Sequence, residues 1–337
     1  MAAFLLLLGL LLSQEPIPQS TAPTQESLWP ALPSGLPRRD QASVLLPLDP
    51  ALEPRVRFVY WPGDEERAAR LLAALERAPY LPGLPPDMPG RSAFYLAPDM
   101  EIWNALTGGA VPSWGAGVAI PAERIAVIPL DGGPLSGLAA RDRTALHEWA
   151  HLGLHDYLGG MRIPRWFDEG YAQWASAGWD VEEAWRLRVA LARGGTPPLD
   201  SLALAWPVDR VGADLAYLLS ASAVEYLVGE SGERGMEIFL TRWRALGDFE
   251  EAFRQTFGLT TSGFELRWVE HVKRRYGWML VLYQTAPFWL LGGVALLFLF
   301  GVRRRRDRER LAGLRANDPP DQPAYWTSEV DRSGEGG

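Results

Sequence analysis

Short strand-like runs of apolar residues occur in the first half of the chain, and apolar positions at helical spacing dominate the second half. Charged and apolar residues alternate in the first half of 55–61 (RVRFVYW), which predicts a β-strand, and the run 92–97 (SAFYLA) predicts a second one. Two further strands are expected at 117–120 and 124–130, joined by the turn-forming residues 121–123. These segments together predict a small sheet in the N-terminal half of the domain.

Helical spacing first appears after Asp64, a suitable N-cap, with an apolar face at positions 68, 71, 72 and 75. It returns at residues 138–157 and then dominates the chain. The helices predicted for this later part are 168–177, 181–193, 213–230, 233–246, 248–257 and 261–276. Strands that precede a run of helices indicate the α+β fold class.

The N-terminus has the character of a secretory signal. Residues 2–12 are apolar and are followed by a polar stretch, so we predict a signal peptide at 1–12. No Lys or Arg precedes this run and no A-x-A site follows it, which leaves a buried N-terminal helix as the alternative.

A second apolar segment, 278–302, contains no charged residue and exceeds the roughly 20 residues that cross a bilayer core. We therefore predict one transmembrane helix there. The four arginines 303–306 follow at once and form a heavier basic flank than residues 273–275 on the other side. By the positive-inside rule the C-terminal tail faces the cytoplasm. The sequence thus predicts a single-pass protein of the cell membrane with an extracytoplasmic domain.

Composition sets the limits of that domain. Residues 13–50 are rich in Pro, Ser, Thr and Gln, which predicts an extended linker, and the charged tail 303–337 is predicted to be disordered. The folded domain is expected at 51–276. A net charge of −8 argues against nucleic acid as a partner, and the absence of cysteine excludes thiolate metal sites and cysteine nucleophiles.

Three of the four histidines lie close together, at positions 147, 151 and 155. His147 and His151 are four positions apart, so a helix places both imidazoles on one face, one turn apart. Two nitrogens at this spacing can reach one zinc ion. Glu148 follows the first histidine and faces the same cleft, where it is suited to act as a general base. The run 147–151 (HEWAH) therefore predicts a zinc site with an adjacent base.

A catalytic zinc ion needs a third protein ligand and an open position. Seventeen residues separate His151 from Glu169, which lies in the segment 166–172 (WFDEGYA) and could reach the metal from an antiparallel helix. HEWAH followed by WFDEGYA resembles the gluzincin metallopeptidases, and more narrowly the peptidase MA-like domain family, over residues 55–276. The resemblance implies a zincin-like fold with His147, His151 and Glu169 as ligands of Zn²⁺. It also implies Glu148 as the base and a peptide or protein as the substrate.

Neighbouring residues offer alternatives to this ligand set. Asp168 is a rival ligand, although it is better placed as the N-cap of its helix. His155 continues the i, i+4 series and is expected around the ligands or in the core. A metzincin site would require glycine and histidine where this chain has Leu154 and Tyr157.

Related gluzincins stabilise the oxyanion with a Tyr or His from the C-terminal helices, which makes Tyr217 the candidate here, with Tyr226 behind it. Either tyrosine could instead belong to the core. The strand 124–130 is expected to be the edge strand beside the cleft, where an extended substrate could pair. Two other functions stay open: a catalytically silent, membrane-anchored binding or sensor module, and a zinc hydrolase of a non-peptide amide or ester.

Overall fold

The structure, a computed structural model, describes residues 29–86, 90–109, 116–130, 138–177, 181–193, 197–204, 206–207, 209–276 and 278–316. The predicted signal peptide and the last part of the predicted tail lie outside these residues. The chain divides into two compact units after Gly277.

The first unit is a small sheet followed by helices. Its strands are β1 (Ser43–Leu45), β2 (Val56–Tyr60), β3 (Ser92–Ala97), β4 (Val118–Ile120) and β5 (Ile125–Pro129). Its helices are α1 (Glu65–Glu76), α2 (Met100–Thr107), α3 (Leu138–Leu158), α4 (Arg165–Ala177), α5 (Val181–Arg193), α6 (Leu199–Leu204), α7 (Arg210–Leu246), α8 (Phe249–Phe257) and α9 (Thr261–Tyr276). The prediction of a small sheet with a helical C-terminal half is confirmed.

The sheet is mixed and has the strand order β1-β2-β3-β5-β4. The three inner strands are mutually parallel, and the two outer strands β1 and β4 are antiparallel to their neighbours. The expectation that 124–130 forms the edge strand is therefore wrong. β5 pairs with β3 on one side and β4 on the other, so β4 is the edge strand.

Alternate residues of the inner strands enter two separate cores, as the period of a strand requires. Phe58 and Phe94 stack at 4.8 Å between ring centroids and share a buried cluster with residues of α1 and α3. Val59 and Tyr95, the next residues along, belong to a second buried cluster with residues of α2. The sheet therefore has helices on both faces, and α3 lies on the first of them.

The helical half is centred on aromatic side chains from α4, α7 and α8. Phe167 of α4 lies 5.5 Å from Phe239 of α7 and 5.7 Å from Phe249 of α8, measured between ring centroids.

The long helix α7 contains a break: Gly232 has φ 70° and ψ 171°, which no helix allows. This break separates the two helices that were predicted at 213–230 and 233–246.

Part of the predicted linker 13–50 belongs to the folded unit. Leu36 is buried, and β1 pairs with β2 over three residues. Trp29 stacks under the guanidinium groups of Arg57 and Arg91, at 5.1 and 5.5 Å. A proline-rich composition predicted an extended chain here, but scattered apolar residues are enough to fix it on the sheet. Asp64 occupies the predicted N-cap position of α1, but its side chain makes no capping bond and instead accepts from Arg67 at 2.9 Å.

The second unit contains one long helix, α10 (Trp278–Ala316), which includes Pro287. It covers the predicted transmembrane segment and continues through 303–316, where a disordered tail was predicted. Among the described residues two helices are long and apolar enough to cross a membrane, Val211–Leu246 and Pro287–Ala316. The first is mostly buried in the folded unit, as core helices are, whereas the second has no buried share.

Candidate metal centre

Two histidines of α3 form one side of the centre. His147 and His151 are one helical turn apart, and their Nε2 atoms approach to 3.1 Å. Their rings meet edge to face with centroids 4.7 Å apart. Helix geometry alone thus brings the two nitrogens to a common point.

The third side comes from α4, which packs against α3. Oε2 of Glu169 lies 3.5 Å from Nε2 of His147 and 3.4 Å from Nε2 of His151. Ligands about 2.0–2.1 Å from a tetrahedral zinc ion lie roughly 3.3 Å from one another. The spacings of these three atoms therefore fit one zinc ion, and the donor set of two imidazoles and a carboxylate suits that metal.

The electrostatics of the centre favour a cation. Burial raises the pKa of Glu169, but hydrogen bonds from His147 and His151 outweigh burial and lower this pKa to about 2. Burial lowers the pKa of His151, yet Asp168 and Glu169 raise it well above its ordinary value. Positive charge is thus strongly stabilised among these side chains.

Asp168 contacts His151 on the side away from Glu169. Its Oδ1 is 2.8 Å from Nδ1 of His151, and its Oδ2 is 2.9 Å from Nε2 of His155. Burial raises the pKa of Asp168, but the two histidines outweigh this and lower it. A carboxylate that accepts Nδ1–H leaves the Nε2 lone pair of His151 free for a metal. The structure therefore gives Asp168 a place outside the group of three, with His155 as its further partner.

The predicted role of Asp168 as an N-cap is wrong. α4 begins at Arg165, so Asp168 is already inside its first turn. The N–H of Asp168 already donates to the carbonyl of Pro164, so the first turn of the helix starts before Asp168.

Glu148 is buried beside the centre, on the same helix as the histidines. Burial raises its pKa, and the nearby His147 and His151 partly offset this effect. The backbone N–H of Ala119, on the edge strand β4, donates to the Glu148 carboxylate. A Cβ atom at Gly117 would lie 2.8 Å from Glu148 Oε1, so only glycine leaves this carboxylate its position.

The chain matches the family model of the Peptidase MA superfamily over residues 103–274. The chain belongs to the Peptidase MA superfamily. The matched range begins within α2 and includes every residue of the metal centre. The gluzincin-type, peptidase MA-like assignment made from HEWAH and WFDEGYA is thereby confirmed.

Solved structures similar to this Peptidase MA chain include M1 zinc metallopeptidases from Deinococcus radiodurans. A mutant enzyme is 16% identical with a TM-score of 0.39, and the match covers 68% of this chain and 52% of that one. The mutant bound to a Tyr-Ser-Ala substrate is 17% identical with a TM-score of 0.40, over 68% and 52%. The enzyme without the mutation is 18% identical with a TM-score of 0.35, over 74% and 51%. The chain thus spans about half the length of these proteins, and no curated protein matches it.

The edge strand of this Peptidase MA domain is tied to α3. The turn between β4 and β5 ends at Arg124, which has φ 56° and ψ 39° and so lies in the left-handed region. Its guanidinium pairs with Oδ1 of Asp156 on α3 at 2.9 Å. Together with the bond from Ala119 to Glu148, this pair holds β4 along α3.

Tyr217 of α7 packs against Trp206, with 5.1 Å between ring centroids, and the charges of Glu169 and Glu148 act on its phenol. Burial raises the pKa of Tyr217 above its ordinary value, and these two carboxylates raise it further. Arg165 acts in the opposite direction through a hydrogen bond to the phenol. Tyr226 is elsewhere: its ring packs against His271 and Phe264, at 4.7 and 5.8 Å between centroids.

Arg165 and Trp206 are functional candidates that sequence reasoning missed. The guanidinium of Arg165 lies 4.4 Å from the centroid of the Trp206 ring, and its Nε is 3.6 Å from Oε1 of Glu169. The spacing of Arg165 and Glu169, i and i+4 on one helix, is a signal that could have found the arginine. Trp206 has no comparable local signal, because it reaches the site from a loop.

Proposed function

We propose that this chain is a membrane-anchored zinc peptidase, in which His147, His151 and Glu169 hold Zn²⁺ and Glu148 is the general base. The observation that carries the proposal is the group of three ligand atoms spaced 3.1, 3.4 and 3.5 Å apart. A buried carboxylate beside them, and membership of the Peptidase MA superfamily, support the same reading.

Zinc, when bound, supplies Lewis acidity toward water and toward the substrate carbonyl. Glu148 accepts the proton of the attacking water and later delivers it to the leaving amine. Its burial beside the three ligand atoms places it within reach of a water molecule bound there. Asp168 orients His151 and is not a reacting group.

Tyr217 is proposed to donate a hydrogen bond to the developing oxyanion. A guanidinium can only donate, so in the bond between Arg165 and Tyr217 the phenol oxygen is the acceptor. The phenol hydrogen therefore remains available for another acceptor. An accepted bond from a cation also strengthens the phenol as a donor.

The substrate is proposed to lie as an extended strand along β4. The outer side of this strand has no partner strand among the described residues. Ala119 turns its N–H to Glu148, so its backbone groups face the cleft and not β5. Its carbonyl can then accept a bond from a substrate N–H, which would set the register of the peptide beside the base.

Membrane anchoring is proposed through residues 278–302, with the catalytic unit outside and the tail in the cytoplasm. Support comes from the long apolar helix α10, whose most apolar window has no buried share, and from the arginines that follow it. The other apolar helix, Val211–Leu246, is mostly buried and is assigned to the core of the catalytic unit.

The test is hydrolysis of a fluorogenic peptide library by the purified full-length chain and two variants. Glu148→Gln should retain zinc and lose roughly 10²–10⁴-fold in kcat, the usual contribution of a positioned base. Glu169→Gln should lose most of its zinc after dialysis against a weak chelator, because two histidines remain.

If Glu148→Gln were free of zinc and Glu169→Gln retained it, Glu148 would be the ligand and Glu169 the base. A wild-type chain that binds zinc but cleaves no peptide would support the silent binding module. Cleavage of esters or non-peptide amides alone would support the second alternative.

A further inference from the structure

The guanidinium of Arg165 lies on the solvent side of the candidate metal centre. The side chain of Glu169 is 11% exposed, whereas that of Arg165, one turn earlier on α4, is 50% exposed. Nε of Arg165 lies 3.6 Å from the outer oxygen of Glu169, the one that faces away from the two histidines. A guanidinium is thus fixed between the ligand carboxylate and the solvent.

Arg165 is held in place by its neighbours. Its Cζ lies 4.4 Å from the centroid of the partly buried Trp206 ring, and it donates a hydrogen bond to Tyr217. The rings of Tyr217 and Trp206 themselves meet at 5.1 Å between centroids. Stacking on an aromatic face restricts a guanidinium without using its N–H groups. The orientation of Arg165 is therefore fixed before any ligand arrives.

The guanidinium has donors to spare. It carries five N–H groups, of which the contacts with Glu169 and Tyr217 need two. The remaining N–H groups lie on a half-exposed fork, which is the geometry that binds a carboxylate through two parallel bonds.

The carboxylates of the centre are, in contrast, already engaged. Glu148 accepts from Ala119, Asp168 binds two histidines, and Glu169 faces the histidine pair and Arg165. A substrate amino group would have to displace one of these contacts, whereas a substrate carboxylate would meet free donors.

From this geometry we infer that Arg165, supported by Trp206, binds a carboxylate of the substrate and makes the enzyme selective for acidic groups near the scissile bond. This inference rests on the proposed peptidase function. The carboxylate can come from the C-terminus of a peptide or from an Asp or Glu side chain. Both sources present the same planar anion to the guanidinium.

The experiment uses two matched peptide pairs with the full-length protein in mild detergent. The first pair differs only in a C-terminal acid or amide. The second pair is amidated and differs only in an internal Glu or Gln. We measure kcat/KM with wild-type protein, and binding by calorimetry with the Glu148→Gln variant, whose zinc content is determined in parallel.

The acid member of at least one pair should be preferred by about 10- to 100-fold, the range of a charge-assisted hydrogen-bonded pair. Arg165→Gln should reduce this ratio to near one, and Arg165→Lys should give an intermediate ratio because it keeps charge but loses the fork. The pair that shows the preference identifies the source of the carboxylate. Arg186→Gln, on a 49% exposed arginine paired with Asp214, is the matched control and should leave the ratio unchanged.

No preference in either pair, or a preference that persists in Arg165→Gln, overturns the inference. A uniform loss for all four peptides does so as well, because it would show that Arg165 only positions Glu169 or Tyr217. If no peptide is cleaved but calorimetry shows the Arg165-dependent preference, the proposed function fails and the carboxylate site stands. If peptides are cleaved without any preference, the proposed peptidase function stands and the carboxylate site fails.

Discussion

At the residue scale, Asp168 connects His151, a proposed zinc ligand, to His155 through bonds of 2.8 and 2.9 Å. Asp168→Ala should weaken zinc binding by roughly 10–100-fold, because partners of this kind fix the orientation and basicity of a ligating imidazole. Asp168→Asn should have a smaller effect, since its amide oxygen can still accept Nδ1–H. Competition with a chromophoric chelator measures the affinity of each variant.

Asp156→Asn is the control for this comparison. Asp156 lies on the same helix as the ligands but pairs with Arg124 and not with a ligand histidine. The zinc affinity of the Asp156→Asn variant should match that of the wild type. Equal affinities for Asp168→Ala and Asp156→Asn would show that Asp168 has no influence on the metal.

Sequence reasoning placed His147, Glu148 and His151 because their arrangement depends only on the local geometry of a helix. It could not find the bond from Ala119 to Glu148, because a backbone N–H is the same in every residue and leaves no trace in the sequence. The role of Asp168 was missed for a different reason. Its partner is determined by how α3 and α4 pack, which residue spacing does not specify.

At the element scale, Gly170 sets the approach of α4 to α7. A Cβ atom there would lie 2.4 Å from the carbonyl oxygen of Ser220 and 2.6 Å from Cγ2 of Val224. Gly170→Ala should therefore lower the free energy of unfolding by about 1–3 kcal/mol, the usual cost of overpacking. Because Glu169 is the preceding residue, zinc affinity should fall too. Urea unfolding followed by tryptophan fluorescence gives the first quantity.

Gly229→Ala is the matched substitution on α7. Its added methyl group would meet nothing within 4 Å, and its backbone is helical. This variant should gain about 0.5–1 kcal/mol from helix propensity alone. If both alanine variants were stabilised, the close approach of α4 and α7 would not constrain the fold.

Some elements could be predicted in full and others not at all. α5 and α9 match their predicted limits, because each has a clear apolar face and turn residues at its ends. α2 and α6 are short and were not predicted, since eight or six residues give periodicity too few repeats. The order of β4 and β5 in the sheet was wrong because strand order depends on pairing with β3, far away in the sequence.

At the scale of the whole molecule, the proposed orientation rests on the arginines after residue 302. In spheroplasts of a bacterial host, external protease should degrade the unit before α10 and should spare a tag placed after residue 337. The tag should become accessible only when the membrane is opened. Protection of the unit before α10 in intact spheroplasts would contradict this orientation.

The limits of the folded unit were only partly predictable. Composition alone suggested that packing starts near residue 51, yet Leu36 is buried and β1 completes one edge of the sheet. Low apolar content predicts little independent structure, but it does not prevent a segment from adding to a sheet that already exists. The helical continuation of α10 to Ala316 has a similar cause, since an existing helix extends at little cost.

The turn at Arg124 illustrates how two demands on one residue can oppose each other. A non-glycine residue in the left-handed region costs roughly 1–2 kcal/mol of backbone energy, which a glycine would not. The arginine side chain is nevertheless what joins the edge strand β4 to α3, the helix that carries Glu148. Glycine at this position would relieve the backbone but would leave the Asp156 carboxylate, which is only 13% exposed, without its cation. The two effects oppose each other in the free energy of unfolding, and the loss of the link between β4 and α3 comes in addition. A glycine chosen here for its backbone freedom alone would therefore loosen the strand proposed to hold the substrate.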